Sequence, residues 1–488
     1  MQNTRAVEKV KTDSGAALKY SASNPVEETD RAGRGKAVSG PKTIPKLRVI
    51  PREISLDYLV SNAVRGFDIH GDVFQLVLPL PLRIFCLRRP DHIKAVTSLK
   101  ECGTTKPAGM IPKADWFMGD GVYNDLGGDA WMAKRRALAP AFTERMAIQY
   151  SERLPRSFES LKARWTGFGT VSGLDVYAEM QRLVLDFAAD ALFSEKLSAE
   201  KLDWIVPATS FAEDMFVTLA PHWLPIPSNM KLARIKARYH EFMDDIIRNH
   251  RQTPGSYSDM VRHLMDIENP ATGRPHSDTE IKAEMFSAYL GTPAMALTIL
   301  WGLFVLFTRP EMLGKIREEL KRTIGNRAPT AEDLSALPYL EMFVKEILRL
   351  YPSFWGSLRY ARDATEIGGY SFPARSIFAM VRVAAQRLPE HWENPLEFIP
   401  ERHAKRNSCP HALLPFGLGP RMCLGRSLAT IVCPLAIASI AQAFDLCFQS
   451  DKVELRYGFG MYPAKPIFAA VRPVDSKIAI GFPPVAAH

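Results

Sequence analysis

The apolar positions of this chain are spaced for helices through its middle and for strands toward its two ends. From about Trp131 to Leu350 large apolar side chains recur at i, i+3 and i+4, the spacing that gathers them on one face of a helix, and "YHEFMDDIIRNHR" is a clear amphipathic case. Pro221, Pro225 and Pro227 in "PHWLPIP" break that run into separate helices, since proline has no N–H to give to the ladder. Upstream, "HGDVFQLVL" and "RIFCL" have the β-branched and aromatic content of short strands. After Leu350, "EIGGYSFPARSIFAMVRV" reads as a hairpin and a following strand, and "QRLPEHWENPLEFIPERH" as a proline-rich meander. "KPIFAAVRPV" reads as a terminal strand. The pattern predicts a mainly α chain with small β-sheets (α+β). Residues 43–488 are expected to form one large domain, and residues 1–42, poor in large apolar groups, a flexible polar arm.

Two stretches, 285–308 and 427–444, carry no charge and are long enough to cross a bilayer at 1.5 Å of rise per residue. An integral membrane or transport protein is therefore one reading. Pro434 inside the second stretch and the absence of Lys/Arg asymmetry around either argue against it. The other reading makes the first stretch the wall of a buried site, and the odd cluster "GTPAM" at its centre then needs explaining.

Composition narrows the classes. At 488 residues and 47% hydrophobic the chain has ample length for a large core. With 62 basic and 53 acidic residues the formal net charge is +9. No dense basic run with interleaved aromatics appears, so nucleic acid is not an expected partner. The six cysteines include no C-x-x-C spacing, which fits neither a disulfide framework nor a zinc site and suits a reducing compartment. The N-terminal residues offer no apolar h-region, so a cytoplasmic protein without signal peptide or N-terminal anchor is expected.

The chemistry points to "PFGLGPRMCLGRSLA", residues 415–429. Cys423 sits among Gly417, Gly419 and Gly425, which allow positive φ and close approach of backbone to a bulky group. The loop leads into a helix, whose N-terminal N–H groups stabilise a thiolate. That is the environment of a thiolate axial ligand to haem iron. A structural cysteine is the commoner role, and it is the expectation for Cys409, Cys433 and Cys447.

With Phe416, Gly419, Arg421, Cys423 and Gly425 the loop carries F-x-x-G-x-R-x-C-x-G, and from about residue 45 to 475 the chain resembles the cytochrome P450 family of haem-thiolate monooxygenases. The resemblance implies haem b, held through its iron by Cys423 and flanked by Phe416, Gly417 and Gly425. It implies that Glu346 and Arg349 of "KEILRLYP" form the family's E-x-x-R pair, completed by Arg402 of "FIPERH", as a structural network. Trp131 and Arg135 in "DAWMAKRRALAPAF" match W-x-x-x-R, and with Arg359 and Arg421 the resemblance makes Arg135 a partner of the haem propionates. Gln386 stands where the meander usually has a histidine.

Aligned on Gly291 and Trp301, the distal helix departs from the family's [AG]-G-x-[DE]-T: Thr292 falls at x, Pro293 at the acid and Ala294 at the threonine. The pair that relays protons to a distal oxygen is absent, and Pro293 enforces a local opening of the helix. Three readings follow: an oxygenase with another relay (substrate, water, Thr292 or Thr298), a peroxide-using or rearranging enzyme, and a coupling or cyclising enzyme. A non-catalytic haem protein is a remote fourth. The resemblance further implies a monomer served by a separate ferredoxin or flavodoxin-type donor, with Lys134 and Arg136 contributing to a basic docking face. Phe, Trp and Met in the expected pocket-lining segments 106–122, 210–225, Leu290–Thr298, 353–358 and 458–463 suggest an apolar or aromatic small-molecule substrate.

Overall fold

The computed structural model describes residues 42–49, 55–79, 82–99, 105–107, 112–124, 126–167, 171–218, 220–270, 272–405, 407 and 409–475. The expected arm, apart from Lys42, lies outside the described residues. Helices dominate the remainder, with strands gathered in small sheets. The amphipathic segment belongs to the helix Pro227–Gln252, which Pro227 opens and whose Tyr239, Phe242, Met243, Ile246 and Ile247 are buried. The prolines before it separate this helix from Ala199–Phe216, as expected.

The largest sheet has five strands in the order Lys46–Arg48, Val73–Val77, Ile84–Leu87, Ser376–Met380 and Ser357–Ala361. Both early strands read from sequence belong to it, as does the strand Ser376–Met380 that follows the expected hairpin. The terminal strand Phe468–Pro473 pairs antiparallel with Phe444–Phe448 and with Val171–Asp175. That last strand interrupts the helical middle. Its five residues carry no run of β-branched or aromatic side chains, so only the pairing reveals it.

Two helices at the centre frame the site. Pro293–Phe307 packs against Val176–Phe193, Pro338–Leu350 and Arg426–Ala443. Gly302 lets the last of these come close: a Cβ there would lie 2.6 Å from Ile437 Cδ1. Both uncharged stretches are long and apolar enough to cross a membrane, yet 83% and 61% of their apolar windows are buried inside the fold. Burial within a large core accounts for their composition.

Candidate active site

The cysteine loop is shaped by its own backbone. Gly417 and Gly419 adopt φ of +75° and +70°, a region that penalises other residues, and a Cβ on Gly419 would meet the Thr97 carbonyl at 2.7 Å. Cys423 N–H donates to the Phe416 carbonyl at 2.9 Å and Met422 N–H to Gly419 O at 3.0 Å, closing the turn. Gly425 differs from expectation. Its φ is an ordinary −76°, and it serves as the cap of the helix Arg426–Ala443, its backbone N–H bonded to the Cys423 thiol. The thiol stands exposed at the loop's face. Burial of its surroundings pushes the Cys423 thiol up, while the Gly425 N–H and the charges of Arg135 and Arg382 pull it down. Of the other cysteines, Cys433 is buried and Cys409 and Cys447 half-buried, in keeping with packing roles.

The E-x-x-R pair holds this loop's foundation. Fully buried Arg349 donates from Nε and Nη2 to Glu346, both at 2.8 Å, and also to the carbonyls of Gln386, Pro395 and Glu397. Arg402 Nε reaches Glu346 at 3.0 Å. His403 Nε2, which sequence reasoning missed, reaches the same carboxylate at 2.8 Å. Burial alone would raise the Glu346 carboxyl, yet the hydrogen bonds from Arg349 and His403 and the Arg349 charge bring it down to about 2. Gln386 is a tie between elements: its amide donates to the Leu348 and Arg349 carbonyls and accepts from Leu414 N–H at 2.6 Å.

Cations gather around the loop. Buried Trp131 lies beneath two of them, with the Arg135 and Arg421 guanidiniums 5.8 and 4.1 Å from its ring centroid. Arg135 also bonds the Met422 carbonyl. Arg359 is buried on the strand Ser357–Ala361. Beside it stands Arg382, also buried, whose guanidinium is brought down to about 10 by burial and by the neighbouring Arg359 charge. Sequence reasoning passed over Arg382, although a lone charge in "IFAMVRVAA" was a signal. Arg136 is exposed, whereas Lys134 donates to the Asp120 carbonyl at 2.9 Å and braces the loop before its helix.

Opposite, the uncharged stretch 285–308 runs through the end of the helix Asp278–Tyr289 and the whole of Pro293–Phe307, with the break between them that the proline was expected to impose. Pro293 takes the first position of the second helix, where its missing N–H costs least. The Tyr289 carbonyl that it would have engaged accepts instead from Thr292 N–H at 3.1 Å and Thr292 Oγ1 at 2.6 Å. From Ala283 to Leu306 the side chains are buried except at Ser287, Ala288, Gly291 and Ala294, which at this spacing form one open face of small residues. One turn on, Thr298 Oγ1 lies 2.9 Å from Ser353 Oγ, and Ser353 donates to the Ala294 carbonyl at 2.8 Å. Sequence reasoning named Thr298; it did not foresee the Ser353 partner.

Aromatic rings from three of the expected substrate segments meet at Phe459, where Phe216 and Phe354 place their centroids 6.3 and 5.6 Å away. Tyr123, one residue past the first segment, joins them at 6.1 Å. A Cβ on the adjacent Gly460 would lie 2.7 Å from Leu297, so this hairpin presses against the second distal helix. Residues 108–111 of the first segment lie outside the described residues.

An exposed thiol, a glycine-lined loop and the arginines gathered beside it, Arg359 and Arg382 among them buried, fit a flat, dianionic, iron-bearing group such as haem. A family profile described as "Cytochrome P450" matches residues 57–468. The chain is 29% identical over 388 residues to cyclooctat-9-en-7-ol 5-monooxygenase of Streptomyces melanosporofaciens, covering 77% of this chain and 83% of that protein. It is 32% identical over 283 residues to a flavonoid 3'-monooxygenase of Petunia hybrida, covering 53% and 55%. The fold is shared with the crystal structure of a cytochrome P450DA heme domain at a TM-score of 0.78 and 22% identity, covering 89% of this chain and 98% of that one.

Proposed function

The chain belongs to the cytochrome P450 family and is an oxidoreductase, and we propose that it is a haem-thiolate monooxygenase acting on an apolar small molecule. The observation that carries this reading is the exposed Cys423 thiol in its glycine loop, with paired arginines at its edge. Haem b, when bound, supplies a redox-active iron at which an oxidant is activated. Cys423 would hold the iron, with the Gly425 N–H directed at its sulfur. Phe416 and Gly417 would flank the group, and Arg135, Arg359 and Arg421 would meet its carboxylates, each a planar donor suited to bidentate pairing.

The remaining residues set access and proton supply. Gly291 and Ala294 keep the distal face clear, and the Thr292 hydroxyl donates to the Tyr289 carbonyl. Thr298 and Ser353 are hydrogen-bonded to each other at the Ala294 carbonyl, and this linked hydroxyl pair would hold and pass a proton there. The ring cluster at Phe459 supports an apolar or aromatic substrate. The relatives named for cyclooctat-9-en-7-ol and flavonoids support a small-molecule substrate of secondary-metabolite type. Monooxygenation places one atom of dioxygen in the substrate and releases the other as water, using two electrons and two protons. The electrons would come from a separate ferredoxin or flavodoxin-type donor, to a monomeric cytoplasmic enzyme.

Pro293 and Ala294 favour a second reading, in which the oxidant is peroxide or the substrate supplies the proton for a coupling or cyclising step. Turnover under isotopically labelled dioxygen separates them. The monooxygenase reading predicts one labelled oxygen in the product. Unlabelled product, formed equally well with peroxide and no reductant, would replace it with the second reading.

A further inference from the structure

Arg382 opens the short helix Arg382–Ala385, just after the strand Ser376–Met380. Its Nη1 donates to the Pro415 carbonyl at 3.1 Å, where the cysteine loop begins. Its Nη2 lies 3.7 Å from the place a Cβ on Gly417 would take. Only 8% exposed, it forms no ion pair with a carboxylate among the described residues. Together with Arg359, Thr97, Gly417 and Leu418 it lines one gap beside the loop.

Arg359 and Arg382 line one gap and their like charges repel, and for Arg382 a buried charge without a carboxylate partner costs more than packing alone returns. The arrangement becomes favourable when an anion enters. Haem carries two carboxylates, and the cradle holds cations in two groups: Arg359 with Arg382, and Arg135 with Arg421 over Trp131. We propose that Arg382 is a haem-binding residue, which together with Arg359 clamps one propionate while Arg135 and Arg421 serve the other. The inference rests on the haem-thiolate reading above and adds to it a contact that the motif comparison leaves unassigned.

The test follows haem loss from reconstituted holoprotein to excess apomyoglobin, haem midpoint potential, and thermal stability of the apoprotein. Arg382→Met should lose haem about tenfold faster or more, the scale of one lost charged contact. Its midpoint potential should fall, since a cation near the iron is gone. Its apoprotein should be at least as stable as the parent apoprotein, because an unpaired buried charge is removed. Arg382→Lys should recover part of the retention. Unchanged haem loss and potential in Arg382→Met would overturn the proposal. So would a markedly less stable apoprotein, which would make Arg382 a strut for Pro415. Failure of the parent chain itself to take up haem would sink the haem-thiolate reading and the proposal with it, whereas a parent that holds haem beside an Arg382→Met variant that holds it equally well sinks the proposal alone.

Discussion

Thr298 Oγ1 and Ser353 Oγ stand 2.9 Å apart, and both reach the carbonyl of Ala294, at 3.1 and 2.8 Å. They bring hydroxyl groups from the helix Pro293–Phe307 and from the loop after Pro338–Leu350 to Ala294, whose own side chain has none. If this pair supplies protons, Thr298→Ala and Ser353→Ala should each cut product formed per reductant and raise peroxide release. The fall should be roughly tenfold or more, within the range of a lost acid–base group. Ala294→Thr should improve coupling. Parallel measurement of reductant, product and peroxide checks both, and unchanged coupling in all three variants would exclude the pair.

Glu346 lies at the centre of a buried network, with its carboxyl held at about 2 against an ordinary 4.5. A carboxyl depressed by folding stabilises the fold above its unfolded value, and that contribution is lost as pH falls from about 4.5 toward 2. Glu346→Gln should cost about 3–5 kcal/mol, because it leaves buried Arg349 without its counter-charge. It should also flatten the acid limb of stability. Denaturant unfolding of parent and variant between neutral and acid pH measures both effects.

Glu213 works in the opposite direction. Burial on the helix Ala199–Phe216 raises its carboxyl to about 8, against a hydrogen bond with Tyr462 that lowers it. A raised acid binds its proton more tightly when folded, so stability falls as pH rises from about 4.5 to 8 and levels off beyond. Glu213→Gln should remove that slope. Melting temperatures across the same interval give the comparison, and identical slopes would contradict the assignment.

Gly302 controls the spacing of the two helices that frame the site. Gly302→Ala would drive a Cβ into Ile437 Cδ1, a side-chain tip able to give way in part. The expected cost is about 1–3 kcal/mol from overpacking. Ile437→Val beside it should recover part of the loss, and thermal unfolding of the single and double variants tests the coupling.

Local chemistry explains what could be read ahead of the structure. The glycine loop, the E-x-x-R pair and the proline break all depend on residues close in sequence or on backbone limits that any fold respects, whereas Arg402, 56 residues from Glu346, was anticipated only through the family resemblance. The unforeseen features depend on distant partners. Ser353 is separated by 55 residues from Thr298, and His403 by 57 from Glu346. The strand Val171–Asp175 exists because Phe468–Pro473 pairs with it. Arg382 could not be placed because its neighbours, Arg359 and Pro415, arrive from opposite sides of the chain. Gly425 was read as a conformational necessity, whereas its role is to offer an N–H to the cysteine.

The proposed chemistry of the site depends on Cys423 ligating haem iron as a thiolate. The carbon monoxide spectrum of the reduced holoprotein tests it most directly. The parent chain should show the red-shifted Soret band of thiolate ligation, and Cys423→Ser should lose that band even if haem remains bound. A parent chain that binds haem without the red-shifted band, or a Cys423→Ser variant that keeps it, would contradict the account.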